Sequence, residues 1–143
     1  LPLSGVALTG RMGSFMVHYK GALYIFGGYN AGAKNDWRKV DLSTLAWVIP
    51  AGYAAMPLSA NSVAGVLIGS RVFLAFGDSG NKIISIDLDN IAGGWQTISN
   101  FDPDGYGNTA CSWGGRAYFF GGTNSNTPCV PISLGNMMRV LTP

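Results

Sequence analysis

The chain has 143 residues, 11% of them charged, and a formal net charge of +2 from 9 Lys and Arg against 7 acidic residues, all of them Asp. An average soluble domain is about 25% charged. The cations stand singly or in pairs from Arg11 to Arg139, a scatter that speaks against the concentrated basic surface of a nucleic-acid binder. No apolar run approaches the roughly 18 residues of a membrane span, and 21 Gly with no Glu disfavour helices and favour many short strands.

In chain order, segment 1–10 contains Pro2, Ser4 and Gly5 among small apolar residues and reads as a linker leading out of a preceding strand. The chain opens at Leu1 without an initiator Met or a signal-like segment, so the expectation is a processed product or a piece of a longer polypeptide. Strands are then expected at Gly13–His18, Ala22–Phe26, Trp37–Leu42 and Ala46–Ile49, separated by a turn at Lys20-Gly21, a polar loop from Asn30 to Asn35 and a turn at Ser43-Thr44. The same order returns: Ser62–Ile68, Val72–Phe76, Ile83–Leu88 and Trp95–Ile98. It begins a third time with Asn108–Trp113 and Ala117–Phe120, followed by Val130–Leu134 and Met138–Leu141.

Three matching runs carry the repeat: Leu23-Tyr24-Ile25-Phe26-Gly27-Gly28-Tyr29, Val72-Phe73-Leu74-Ala75-Phe76-Gly77-Asp78 and Ala117-Tyr118-Phe119-Phe120-Gly121-Gly122-Thr123. Gly27 and Gly77 are 50 residues apart, and Gly77 and Gly121 are 44 apart, the period of a four-stranded unit. Val40-Asp41-Leu42 matches Ile86-Asp87-Leu88, and Trp47 matches Trp95 at a spacing of 48. The double glycine fits a backbone that needs positive φ or a close neighbour.

These residues resemble the kelch repeat: an apolar run, a Gly-Gly pair, a nearby Tyr, an Asp-bearing strand and a Trp about six residues on. The first repeat carries it best, with His18, Leu23 to Tyr29, Asp41, Thr44 and Trp47. The second has Gly77-Asp78 in place of Gly-Gly, and the third lacks the Asp and the Trp. A neighbouring propeller repeat family shares the turn, the apolar strand and the glycine; the Asp-to-Trp half favours kelch. The resemblance implies an all-β fold, a β-propeller segment of about three four-stranded antiparallel blades, at about 11–50, 60–99 and 106–142. Three blades do not close such a ring, so further blades from the same longer chain or from other subunits are expected as partners.

In such propellers the loop after the second strand shares a face with the loop that enters the next blade. That face would carry Tyr29, Asn30, Lys34 and Asn35, then Asp78, Ser79 and Asn81, then Asn124, Ser125 and Asn126 beside Thr123, with loops Ala51–Ala60 and Asn100–Gly107 alongside. These are the candidate ligand-binding residues.

Other chemistry is weaker. His18 is the single histidine, so neither a His-based triad nor a multi-histidine metal site can be built here, and galactose-oxidase-like enzymes of the kelch fold need a copper site with paired histidines. Asp102-Pro103-Asp104-Gly105-Tyr106-Gly107-Asn108 has the oxygen-rich look of a calcium loop but also that of a tight turn, and it lacks a later bidentate carboxylate. Asp41 and Asp87 occupy equivalent positions, which suits turn hydrogen bonding better than a paired acid and base. Trp47 and Trp95 are expected between blades; Trp37 and Trp113, outside that register, are expected in core or interface packing, with ligand stacking as the other use. Cys111 and Cys129 are expected as free thiols. The expected function is a non-enzymatic binding or assembly module for a protein or glycan, without a cofactor, on an extracellular or virion surface. The alternative is part of a carbohydrate-active propeller enzyme whose catalytic residues lie outside this segment.

Overall fold

Strand-forming runs bounded by glycines and Asp-led turns assemble as the sequence implies. The computed structural model describes residues 3–76, 82–100, 109–120 and 139–141. The described chain is nearly all β, in three sheets compatible with a propeller segment, with one short 3-10 turn at Ile91–Gly93 and no α-helix. The first sheet holds β1 (Ser4–Gly5), β2 (Phe15–Tyr19), β3 (Ala22–Phe26), β4 (Trp37–Asp41) and β5 (Ala46–Val48) in the order β1-β5-β4-β3-β2. The second is a meander of β6 (Val63–Ile68), β7 (Arg71–Phe76), β8 (Lys82–Asp87) and β9 (Gln96–Asn100). The third contains β10 (Thr109–Trp113), β11 (Arg116–Phe120) and β12 (Arg139–Leu141).

Two strands depart from expectation. Segment 1–10 does more than link, because Ser4 and Gly5 pair in parallel with Ala46 and Trp47 at the outer edge of the first sheet. Gly5 has φ +88°, and a Cβ there would collide with the Trp47 carbonyl, so this close edge pairing needs glycine. Met138–Leu141 reads as an outer fourth strand, yet Arg139–Leu141 pairs directly with β11, Tyr118 opposite Val140. A three-residue strand without the Trp marker has too little pattern to select its neighbour. The expected strand Val130–Leu134 lies outside the described residues.

The sheets stack in chain order, and alternate side chains on each strand face opposite neighbours. Tyr24 and Phe26 of β3 join Val72 and Leu74 of β7 and Ile84 and Ile86 of β8 in one core cluster. The intervening Phe73, Ala75 and Ile83 face the other way and pack with Ala117 and Phe119 of β11. The second sheet is therefore buried on both faces, which explains why β7 and β8 read as nearly unbroken apolar runs. Where successive sheets approach most closely, the contact is made by first strands, β6 lying near β2 and β10. The sheets converge there, and among the described residues the segments 9–14, 27–36 and 49–62 meet in one mouth.

Trp37 is fully buried at the centre of the first interface, 5.4 Å from the Phe26 ring and 5.4 Å from Tyr53. Trp95 crosses from the second sheet and meets Trp37 edge-on at 6.0 Å and Phe26 at 6.1 Å, as expected of a tryptophan between sheets. Both indoles donate to one acceptor, the Ala54 carbonyl, at 2.8 Å from Trp37 and 3.0 Å from Trp95. Trp37→Ala should destabilise the chain by about 4 kcal/mol through loss of buried ring area. Trp95→Phe should cost about 1 kcal/mol, because Ala54 keeps its bond to Trp37. Urea unfolding measures both; a Trp37→Ala chain as stable as the parent would refute this packing.

Candidate functional site

The mouth is built from three backbone segments: residues 9–14 before β2, the loop 27–36 between β3 and β4, and the segment 49–62 before β6. They form one hydrogen-bonded mesh. Met12 and Tyr29 exchange backbone bonds of 3.1 and 2.8 Å. Gly28 N–H donates to Ala60 O at 3.1 Å, Ala60 N–H to Lys34 O at 3.1 Å, and Lys34 N–H to Gly28 O at 2.9 Å. Met56 N–H reaches Asn35 O at 2.8 Å, and Val63 N–H reaches Gly13 O at 3.0 Å. The two glycines make this possible. Gly27 has φ +57°, and a Cβ would lie 2.9 Å from Val63; Gly28 has φ +101°, and a Cβ would strike Ser14 Oγ and Met12 O.

Beneath the mesh, Arg11 and Asp36 form a bidentate ion pair, with Nη2 to Oδ2 at 3.2 Å. The Arg11 side chain is only 5% exposed, against 34% for Asp36. Arg11 Nη1 also donates to Gly27 O at 3.2 Å, and Ser14 Oγ to the same carbonyl at 3.0 Å. The guanidinium holds the Asp36 carboxyl below the usual carboxylate range, against the opposing effect of burial.

An open groove of about 580 Å³ lies above, lined by Met12, Gly13, Tyr29, Asn61 and Ser62. Tyr29 is 41% exposed and Met12 71%. Of the sequence-derived candidates, Tyr29 lines the groove, while Asn30 turns its amide to the Gly10 carbonyl at 2.6 Å. Lys34 and Asn35 spend backbone groups on the mesh; Asn35 is exposed and Lys34 half-buried. Lys34 has no ion pair among the described residues. Asp78, Ser79, Asn81, Asn124, Ser125 and Asn126 lie outside the described residues, as do Cys129 and the segment 102–108.

Sequence reasoning missed Met12, Gly13, Asn61 and Ser62. The signal was there: Phe15 pairs with Phe26 and Ala64 with Ala75, so Gly13 and Ser62 hold one repeat position, and Met12 and Asn61 hold another. They stand just ahead of the first strands, where the sheets converge.

Elsewhere, the aspartates of the repeat are structural. Asp41 Oδ1 accepts from Ser43 N at 2.8 Å, Ser43 Oγ at 2.6 Å and Thr44 N at 3.2 Å, and these bonds, led by the Ser43 hydroxyl, lower its pKa. Asp87 accepts from Asp89 N at 3.0 Å, and its pKa is lowered, first by the Ser70 hydroxyl. Across the first interface, Lys20 pairs with Asp89 and Tyr19 donates to it at 3.0 Å. Lys20 is thereby raised and Asp89 lowered, each chiefly by the other. His18 is exposed on β2, Cys111 is a free exposed thiol, and Trp113 is 77% exposed at the far end from the mouth.

No protein-family model matches the chain. It is 33% identical over 76 residues to the N-acetylneuraminate epimerases of Haemophilus influenzae strains PittEE and 86-028NP, a match covering 52% of this chain and 20% of each relative. It is 31% identical over 77 residues to the N-acetylneuraminate epimerase of Vibrio cholerae serotype O1, covering 53% of this chain and 20% of that relative. The chain thus spans only about a fifth of the curated relatives it matches. These relatives overturn the expectation of a non-enzymatic module, since an epimerase is an enzyme.

The ion pair sets a pH dependence. A depressed Asp36 pKa contributes stability that is present above the unfolded value of about 3.9 and lost as pH falls through the lower folded value. Asp36→Asn should cost about 2 kcal/mol at neutral pH, discounted from a fully buried pair because the carboxylate is partly exposed. It should also flatten the fall in stability below about pH 4. Thermal unfolding as a function of pH measures both, and a variant matching the parent at pH 7 would contradict the assignment.

Proposed function

We propose that this chain is a kelch-type segment of a carbohydrate-active β-propeller enzyme that acts on N-acetylneuraminate or a closely related acidic amino sugar. The observation that carries this reading is the identity with the N-acetylneuraminate epimerases. The groove supports it chemically. Tyr29 offers an aromatic face to sugar C–H groups, Met12 offers apolar surface, and Ser62 offers a hydroxyl group to ring hydroxyls or an acetamido group. Lys34, from the same loop as Tyr29, supplies positive charge for a sugar carboxylate.

Inverting a sugar stereocentre calls for proton transfer by groups whose pKa lies near the working pH. Asp36 is the carboxylate closest to this mouth among the described residues, and its pairing with Arg11 holds it ionised. Asp41 and Asp87 are committed to turns. The described residues accordingly serve as a binding wall, with the proton-transfer groups supplied from outside them.

In the native polypeptide, proton NMR should show accelerated interconversion of N-acetylneuraminate epimers over buffer. Tyr29→Ala should lower kcat/KM by about tenfold, the loss of one aromatic contact of about 1.4 kcal/mol, with the fold intact. Absence of turnover, or turnover unaffected by Tyr29→Ala, would refute the proposal.

A further inference from the structure

The Arg11 side chain is only 5% exposed, and a guanidinium so enclosed must find acceptors for all its N–H groups. Each has one. Nε donates to Thr9 O at 3.0 Å. Nη1 donates to Gly27 O at 3.2 Å and to Asp36 Oδ1, and Nη2 to Thr9 Oγ1 at 3.1 Å and Asp36 Oδ2 at 3.2 Å. Although it directly precedes a groove residue, this arginine has no donor left for a sugar carboxylate.

Its acceptors sit where the chain enters and leaves the groove. Thr9 and Arg11 lead into Met12, Gly27 stands two residues before Tyr29, and Asp36 ends the loop that returns to β4. Gly27 closes the triangle through its own N–H, which donates to Asp36 O at 3.1 Å, and its carbonyl takes a second donor, Ser14 Oγ, at 3.0 Å. The Arg11 stem runs beneath Gly28, where a Cβ would lie 3.2 Å from Arg11 Cδ. One residue further along each segment, Met12 and Tyr29 exchange their two backbone bonds.

The next repeat lacks this staple. By the pairing register, Arg11 and Asp36 hold the positions of Ala60 and Lys82 in the second repeat, which cannot form the pair. The second sheet builds its strands and its packing without it, so repeat architecture does not account for it. A buried ion pair adds little net stability once desolvation is counted, and its best-attested use is to fix one arrangement of the groups around it.

We infer that Arg11 is a positioning residue of the groove: braced by Asp36, its guanidinium sets where Met12 and Tyr29 stand, and it acts on a bound sugar through the Tyr29 ring without touching the sugar. The segment before β6 holds Gly28 and Lys34 from one side, and Arg11 holds Gly27 and the chain into Met12 from the other. Lysine in its place keeps the charge but replaces the planar fork with a single nitrogen, which cannot reach Thr9, Gly27 and both Asp36 oxygens together. The effect on the sugar rests on the function proposed above; the effect on the loop does not.

The test is Arg11→Lys in the native polypeptide, alone and combined with Tyr29→Ala, with Asp36→Asn as a second route to the same loss. Amide hydrogen exchange at Met12 and Tyr29 should quicken by about tenfold or more beyond any change at Leu74, a fully buried residue of β7 that reports global opening. Equal change at all three amides would overturn the inference whether or not the sugar binds. With N-acetylneuraminate as substrate, Arg11→Lys should raise KM about fivefold at unchanged kcat, and should add nothing further in the Tyr29→Ala background. A fall in kcat alone, or the same loss in both backgrounds, would mark a role in folding or a direct contact and would likewise overturn it. Faster loop exchange in the variant, alongside a parent that does not turn over the sugar, would sink the sugar reading and leave the positioning role supported.

Discussion

The Ala54 carbonyl oxygen accepts two indole N–H groups, one from each of two stacked sheets, and much of the described architecture follows from that shared acceptor. Burying an indole without a partner for its N–H is costly. Meeting both demands at one atom pins the segment before β6 against the Trp37 and Trp95 rings. Once pinned, it carries Met56 under Gly27 and Ala60 to Gly28 and Lys34. The mouth is thus a consequence of the core, and Tyr29 is held by the same constraint that holds the sheets together.

Much of the fold could be read from local pattern. The run Ala22–Phe26 and its two glycines mark a strand end with positive φ, and Asp41 and Asp87 mark turns that their carboxylates close. Trp95 announced an interface because it recurs at the repeat spacing. Trp37, whose counterpart in the second repeat is Ile83, was expected in core or interface packing without a repeat to place it, and the stacked structure puts it at the centre of the first core. Strand β1 and the pairing partner of β12 escaped for a different reason: two or three residues carry no periodicity, and their pairing is decided by edges available in space.

The site was legible in part. Tyr29 follows a conspicuous glycine pair, whereas Met12, Gly13, Asn61 and Ser62 have no distinctive chemistry and gain significance from converging first strands. Asn30, chosen for its polarity, spends its amide on Gly10. Polarity in a loop thus marked both groove and scaffold, and only hydrogen-bond partners separate them. The proposed division of labour, a binding wall here and proton transfer elsewhere, follows from the same census, because the described aspartates are engaged in structure.

The most direct test of this account is amide chemical-shift mapping of the labelled native polypeptide with N-acetylneuraminate. The account predicts shifts concentrated at Met12, Gly13, Tyr29, Asn61 and Ser62, with Trp113 and the turns at Asp41 and Asp87 unmoved. Shifts centred on the Trp113 hairpin, or none at the mouth with saturating sugar, would contradict it.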